Sequence, residues 1–200
     1  MRKKAPINKV NTDGFIRVIS GKFKGRKLPV KDVEGLRPTT DRIKETVFNW
    51  LMQDTRDARV LDCFAGSGGL GFEALSRFAA HTDFIELDKQ AATQLQKNIT
   101  TLKLDNASVI KDNALTFLQK NNAATPYSLV FIDPPFRKGL AQPCCDALEA
   151  QNWLTSDALI YVEVEKELSF SAPKTWQVIK EKQAGQVLCQ LYQRVSIDSD

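Results

Sequence analysis

One stretch constrains this chain more than any other: Val60-Leu61-Asp62-Cys63-Phe64-Ala65-Gly66-Ser67-Gly68-Gly69-Leu70-Gly71. A short apolar run enters a glycine-rich turn and leaves it in a helical pattern. Gly66, Gly68 and Gly71 fit G-x-G-x-x-G. Glycine there permits positive φ and lets backbone amides approach a ligand closely. The start of the next helix aims further N–H groups at a carboxylate or phosphate. Glu86 and Asp88 follow about 20 residues on, where an acid can accept hydrogen bonds from a ribose diol.

The strand, turn, helix and acid together predict a nucleoside cofactor, and two remain open on this pattern: a dinucleotide or S-adenosylmethionine. Asp62 helps to choose. A carboxylate just before the loop suits the ammonium of a methionine moiety and would repel a pyrophosphate. No G-x-x-x-x-G-K-[ST] loop is present, which argues against a nucleotide hydrolase. Further along, Lys111-Asp112-Asn113-Ala114 ends a third strand. Asp112 or Asn113 could accept from an adenine amino group there, and a helix N-cap is the competing reading for each. The candidate cofactor-binding residues are Asp62, Phe64, Ala65, Gly66, Ser67, Gly68, Glu86, Asp88, Asp112 and Asn113.

Around this unit the hydrophobic pattern alternates. Strands are expected at Arg59 to Phe64, Asp83 to Leu87, Ala107 to Lys111, Ser128 to Ile132 and Ala158 to Glu163. Helices are expected at Leu70 to Phe78, Lys89 to Leu102, Ala114 to Lys120 and Leu140 to Glu149. Such alternation implies a parallel sheet with helices on both faces. Trp176 to Lys182 and Gln186 to Tyr192 flank Gly185 and read as an antiparallel hairpin. The sum is an α/β fold on the seven-stranded Rossmann-like plan of class I methyltransferases, with a C-terminal antiparallel hairpin. Ahead of it, Phe15 to Ser20 and Arg26 to Val30 make a small N-terminal β-hairpin about Gly21-Lys22-Phe23-Lys24-Gly25. A loop spans Gly35 to Pro38, and a helix capped by Thr39 or Thr40 runs to about Gln53. Its stripe Ile43, Val47, Leu51, flanked by Phe48 and Met52, is expected to face the core.

The most specific feature is Asp133-Pro134-Pro135-Phe136, delivered by the apolar run Ser128 to Ile132. Open α/β sheets place ligands at the carboxyl ends of their strands. The two prolines fix the backbone beyond Asp133. The Asp133 carboxylate and the Pro134 carbonyl can each take one N–H of a planar amine, leaving its lone pair for an electrophilic methyl. Phe136 offers a face on which a base can stack. An exocyclic amine is a poor nucleophile, so in-line positioning and hydrogen bonds favouring growing positive charge on nitrogen are what it needs. Asp133, Pro134, Pro135 and Phe136 are the catalytic candidates.

Charge divides unevenly. Residues 1–60 carry 15 Lys/Arg against 7 Asp/Glu, whereas residues 61–200 carry 13 against 17. A basic leader on a mildly acidic body points to a polyanionic partner. Arg17, Lys22, Lys24, Arg26, Arg37, Thr39 and Arg42 are the candidate nucleic-acid contacts. Arg37 and Thr39 could instead close over the cofactor pocket. No apolar run approaches the roughly 20 residues of a membrane helix. Cys63, Cys144, Cys145 and Cys189 lack metal-ligand spacing, and His81 is the sole histidine, so no metal is expected. Reduced cysteines suggest a cytoplasmic protein. With no long apolar stripe left over, a monomer is expected.

The motifs Asp62 to Gly68, Phe84-Ile85-Glu86-Leu87-Asp88 and Asp133 to Phe136 together resemble the bacterial 16S ribosomal RNA guanine-N2 methyltransferases of the ribosomal small subunit methyltransferase D type. Arg17-Val18-Ile19-Ser20-Gly21, Gly25-Arg26 and Leu36-Arg37-Pro38-Thr39-Thr40 are similar to that family's leader, and Tyr161-Val162-Glu163 to one of its C-terminal strands. The resemblance spans roughly residues 15–193. It implies methyl transfer from S-adenosylmethionine to the N2 amine of one guanine in 16S rRNA, within the 30S subunit. It also implies Glu86 at the ribose, Asp133 with Pro134 at the target amine, and Asn113 rather than Asp112 at the adenine. On this reading, residues 1–13 are a disordered basic tail, residues 14–56 an RNA-binding extension, and residues 57–200 the methyltransferase domain. The alternatives are a DNA adenine-N6 or protein glutamine methyltransferase, a non-catalytic RNA-binding assembly factor, and an NAD dehydrogenase.

Overall fold

The structure is a computed structural model, described over residues 14–31, 41–122 and 125–196. The expected tail 1–13, the loop at Gly35 to Pro38, Arg37, Thr39 and the Thr39 or Thr40 cap lie outside the described residues.

The chain runs β1 (Phe15–Arg17), a single 3-10 turn (Gly21–Phe23), β2 (Lys27–Pro29), α1 (Asp41–Trp50), β3 (Arg59–Asp62), α2 (Gly69–Ser76), β4 (His81–Ile85), α3 (Lys89–Leu102), β5 (Ala107–Ile110), α4 (Ala114–Leu118), β6 (Tyr127–Ile132), α5 (Ala141–Ala150), β7 (Leu154–Glu165), β8 (Trp176–Ala184) and β9 (Val187–Arg194). Seven strands form one sheet in the order β5-β4-β3-β6-β7-β9-β8. Strands β3 to β7 pair in parallel, while β9 inserts antiparallel between β7 and β8. The chain winds outward from β3 through β4 and β5, then restarts at β6 on the other side. The β3/β6 pair is therefore the switch point, and its C-terminal edge is where such sheets open a crevice.

The central strands are apolar on both faces because both are covered. Leu61, Val130, Ile132, Ile160 and Val162 pack on one side with Leu118 of α4 and Cys144, Cys145 and Leu148 of α5. Val60, Leu129, Phe131 and Tyr161 pack on the other with Val47 and Phe48 of α1, Leu51 just beyond it, and Leu70 and Ala74 of α2. All four cysteines are buried and free. Met52 departs from the expected core stripe: α1 stops at Trp50, and Met52 sits in the following turn, 70% exposed.

The N-terminal hairpin is clamped onto the sheet's own helices. Ile16, Val18, Leu28 and Val30 are buried against Phe72 and Leu75 of α2 and Leu95 of α3. The Glu73 carboxylate accepts the amides of Ile19 at 2.7 Å and Ser20 at 3.0 Å. Lys44 Nζ donates to the Arg17 carbonyl at 2.6 Å. Gly21 adopts φ +77, and a Cβ there would meet the Ser76 carbonyl oxygen at 1.9 Å, so the hairpin can approach α2 this closely only through a glycine. Strand β7 begins earlier than its apolar run suggests, because Leu154 already pairs with Tyr127 across an irregular register. No helix among the described residues is long and apolar enough to cross a membrane.

Candidate active site

The crevice is built from the ends of β3, β4, β6 and β7. After β3 the chain turns through Gly66 (φ 52) and Gly68 (φ 80). The Gly66 amide donates to Glu86 Oε2 at 2.7 Å, and the Asp88 amide donates to Glu86 Oε1 at 2.7 Å. Glu86 is half-buried beside the turn, and each of its oxygens retains a further lone pair for a hydroxyl donor. The Ala65 amide bonds the Ile85 carbonyl at 3.0 Å, fixing the turn to β4. Phe64 packs into the α5 side of the core. Ser67 lies with Gly66 on a groove bounded by Val30, Gln94 and Asn98. Gly71 serves packing: a Cβ there would come within 2.2 Å of the Phe84 ring.

Three predicted residues carry structural duties. Asp88 caps α3, accepting the Gln90 and Ala91 amides at 2.8 Å each. Asn113 caps α4, accepting the Thr116 amide at 3.0 Å. Asp112 accepts the Asn113 amide and pairs with Lys120 Nζ at 2.8 Å. Glu86 instead holds the glycine turn through its two amide bonds.

The next strands bring three carboxyl groups into a row. In the ladder Asp62 lies opposite Phe131, Phe131 opposite Tyr161, and Ile132 opposite Val162. Side chains alternate along a strand. Asp62, Asp133 and Glu163 therefore fall on the face that Val60, Phe131 and Tyr161 share. Asp133 is half-buried, Pro134 buried and Pro135 exposed, while Phe136 stands 43% exposed. The Arg137 amide donates to Glu165, which ties the loop beyond Phe136 to the end of β7.

Electrostatics follow from this crowding. Burial, with the Asp133 and Glu86 charges added, pushes Asp62 up to about 7 against the amide bonds from Gly71 and Phe64. Burial and Asp133 push Glu163 up to about 8, although the Tyr161 hydroxyl donates to Glu163 Oε1 at 2.7 Å. These hydrogen bonds come from backbone amides and a phenol, not from cations. A positively charged ligand would be welcome beside such acids, and a pyrophosphate would not. That set, a carboxylate able to accept a hydroxyl next to a cation-seeking carboxyl, fits a cationic nucleoside. Among the described residues no group of three or more His, Cys, Asp and Glu could hold a metal ion.

The basic candidates lie on the hairpin and α1. Arg17 pairs with Asp41 at 3.0 Å, Lys22 Nζ sits 5.3 Å from the Phe23 ring centroid, and Lys24, Arg26 and Arg42 are exposed. Lys27 belongs to the same basic hairpin, and its Nζ stands 4.4 Å from the ring centroid of exposed Phe15. The sequence did not point to Lys44, Glu73 and Tyr161 as polar anchors. A signal existed for Lys44, a cation one residue from the stripe of α1, and for Glu163, an acid inside an apolar strand.

The chain matches the family described as Conserved hypothetical protein 95 over residues 16–193. It is 53% identical over 182 residues to the ribosomal RNA small subunit methyltransferase D of Escherichia coli K12, covering 90% of this chain and 91% of that protein. It is 49% identical to the Haemophilus influenzae protein of the same name, covering 94% and 98%. A solved structure of an Escherichia coli protein at 53% identity superposes with a TM-score of 0.85 over 91% of this chain and 99% of that one.

Proposed function

The chain belongs to the ribosomal RNA small subunit methyltransferase D family, and from that premise we propose that it transfers a methyl group from S-adenosylmethionine to the exocyclic N2 amine of a guanine in 16S rRNA, presented in the 30S subunit. The observation that carries the reading is the switch-point crevice. A glycine turn held by Glu86 stands one strand away from Asp133-Pro134, at the same edge of the sheet.

Glu86 receives the ribose diol, and Asp62 faces the cationic end of the donor. Asn113 or Asp112 lies at the adenine end. When bound, S-adenosylmethionine supplies a sulfonium-activated methyl group. The chain's own residues do the rest. The Asp133 carboxylate and the Pro134 carbonyl each accept one N–H of the amine, so its lone pair points along the attack line. Phe136 stacks on the base, which must leave any stack it occupies in the substrate. As the N–C bond forms, positive charge grows on nitrogen and Asp133 stabilises it. The spare proton then leaves to Asp133 and on to water. The basic hairpin with Lys22, Lys24 and Arg26 contacts phosphates, so substrate binding weakens with salt. The enzyme acts as a monomer in the cytoplasm.

The test is transfer from labelled S-adenosylmethionine to 30S subunits lacking their modifications, free 16S rRNA, duplex DNA and a protein extract, followed by nucleoside analysis. N2-methylguanosine in 30S subunits is the expected product. Label in DNA or protein would overturn the RNA assignment.

A further inference from the structure

Glu163 is a buried titratable group in the row of acids that the reaction above leaves unused. It is 5% exposed, and its neighbours along β7, Val162 and Val164, are apolar. Parallel pairing of Ile132 with Val162 brings the next residues, Asp133 and Glu163, level with each other. Neighbouring strands lie about 4.8 Å apart, so two side chains at paired positions on one face are within reach of each other. Asp133 is also the principal charge acting on Glu163. From two residues back on the same strand the Tyr161 hydroxyl donates to Glu163 Oε1 at 2.7 Å. On the next strand Cys189 pairs opposite Glu163, with Lys182 of β8 opposite Cys189. Lys182 Nζ donates to Thr46 on α1, and buried Lys44 of α1 is bonded to the Arg17 carbonyl and paired with Asp41. Asp62 stands on the far side of Asp133 in the row.

Two adjacent carboxyls in so closed a place do not both ionise at neutral pH. Tyr161 already donates to Oε1, which leaves the proton for Oε2. We propose that Glu163, in its protonated form, is a positioning residue: its carboxyl donates a hydrogen bond to the Asp133 carboxylate and holds that group as an oriented acceptor for the target amine. The inference rests on the reading of Asp133 as the amine acceptor. Glu163 keeps its proton through the transfer. The N–C bond forms as the methyl–sulfur bond breaks, and the proton lost from the amine goes to Asp133. Ionisation of Glu163 removes the donor and sets a second negative charge beside Asp133, so turnover falls on the alkaline side.

The experiment compares turnover of wild type, Glu163→Gln, Glu163→Ala and Tyr161→Phe between pH 6 and 9.5, with carbon-13 NMR of glutamate-labelled protein. Gln keeps an uncharged donor. The expected result is that Glu163→Gln retains turnover at pH 7 within about threefold and loses the alkaline fall, while Glu163→Ala is at least tenfold slower. Tyr161→Phe should move the fall to a different pH. An Ala variant with the wild-type profile, or a Gln variant as inactive as Asp133→Ala, overturns the inference. The NMR titration, with Glu163→Gln assigning the resonance, works without any substrate. A Glu163 carboxyl found ionised at pH 7 overturns the inference even if wild type methylates no RNA. That last outcome would instead count against the proposed function.

Discussion

Two aspartates of nearly equal burial lie on neighbouring strands of the same sheet, one rung apart and on opposite faces, and have opposite electrostatics. Asp83 on β4 is 5% exposed, and Asp62 at the end of β3 is 3% exposed. Around Asp83, four strand residues converge: Arg59 at 2.9 Å, Tyr127 hydroxyl at 2.8 Å, His81 at 3.0 Å, and the Ser108 hydroxyl. Burial raises its pKa, but the bonds from Ser108, Tyr127 and His81 outweigh burial and hold Asp83 below its ordinary range. Asp62 receives only backbone amides, next to two further carboxylates, and rises to about 7. The surroundings of Asp83 satisfy it internally, so it holds strands together. The C-terminal edge leaves its acids short of positive charge, so a ligand completes them. The same residue type is structural in one setting and ligand-ready in the other.

The sharpest way to break this contrast is to delete one acid of each kind. Asp133→Ala should keep the fold and lower turnover on the order of 1,000-fold, about 4 kcal/mol of transition-state stabilisation. Wild-type-like turnover would place the amine elsewhere. Asp83→Ala should do the reverse, losing about 3 kcal/mol of stability in urea denaturation while the folded fraction turns over normally. A loss of turnover without a loss of stability would erase the distinction between the two settings. Glu86 sits between the extremes, holding two amides and still able to accept hydroxyls. Glu86→Ala should weaken S-adenosylmethionine binding by roughly 10- to 30-fold, about 2 kcal/mol, read by calorimetry.

The pH dependence of stability separates the two aspartates by sign. The folded pKa of Asp62, about 7, exceeds its ordinary 3.8, so between those values the folded state binds a proton that the unfolded chain has released. Stability from this group therefore falls as pH rises from about 4 to 7, by at most about 1.4 kcal/mol per pH unit. Asp62→Asn removes that fall. Glu163 adds a fall of the same sign up to about 8. Asp83, with its lowered pKa, contributes stability above about 3.8 that disappears as pH falls through its folded value. Urea midpoints of wild type, Asp62→Asn and Asp83→Asn across pH check both signs. Parallel profiles would mean that the two aspartates share one environment.

Local patterns carried much of this arrangement. The strand of Asp62 and the turn of Gly66 and Gly68 were legible because glycine spacing and an apolar run are local signals. Helix Lys89–Leu102 matched its reading at both ends, since Asp88 is a capping residue and the apolar positions recur at helical spacing. The same position also suits a ligand acid, and the structure shows its Oδ1 serving the Gln90 and Ala91 amides. A carboxylate before a helix looks alike in both roles until its partners are placed. The hairpin was legible as a hairpin, yet nothing local announced that Glu73, more than fifty residues away, would take the amides of Ile19 and Ser20.

The sequence by itself determined the α/β alternation, the glycine turn and the Asp-Pro-Pro-Phe turn, because each depends on residues close together in the chain. Only the tertiary structure decided which acids stand together. Sheet order set β6 between β3 and β7. That order aligned Asp62, Asp133 and Glu163 on one face, although 71 and then 30 residues separate them along the chain. Their shared burial and mutual repulsion, which raise Asp62 and Glu163, exist only once strands distant in sequence become neighbours, since charges interact through space and not along the backbone.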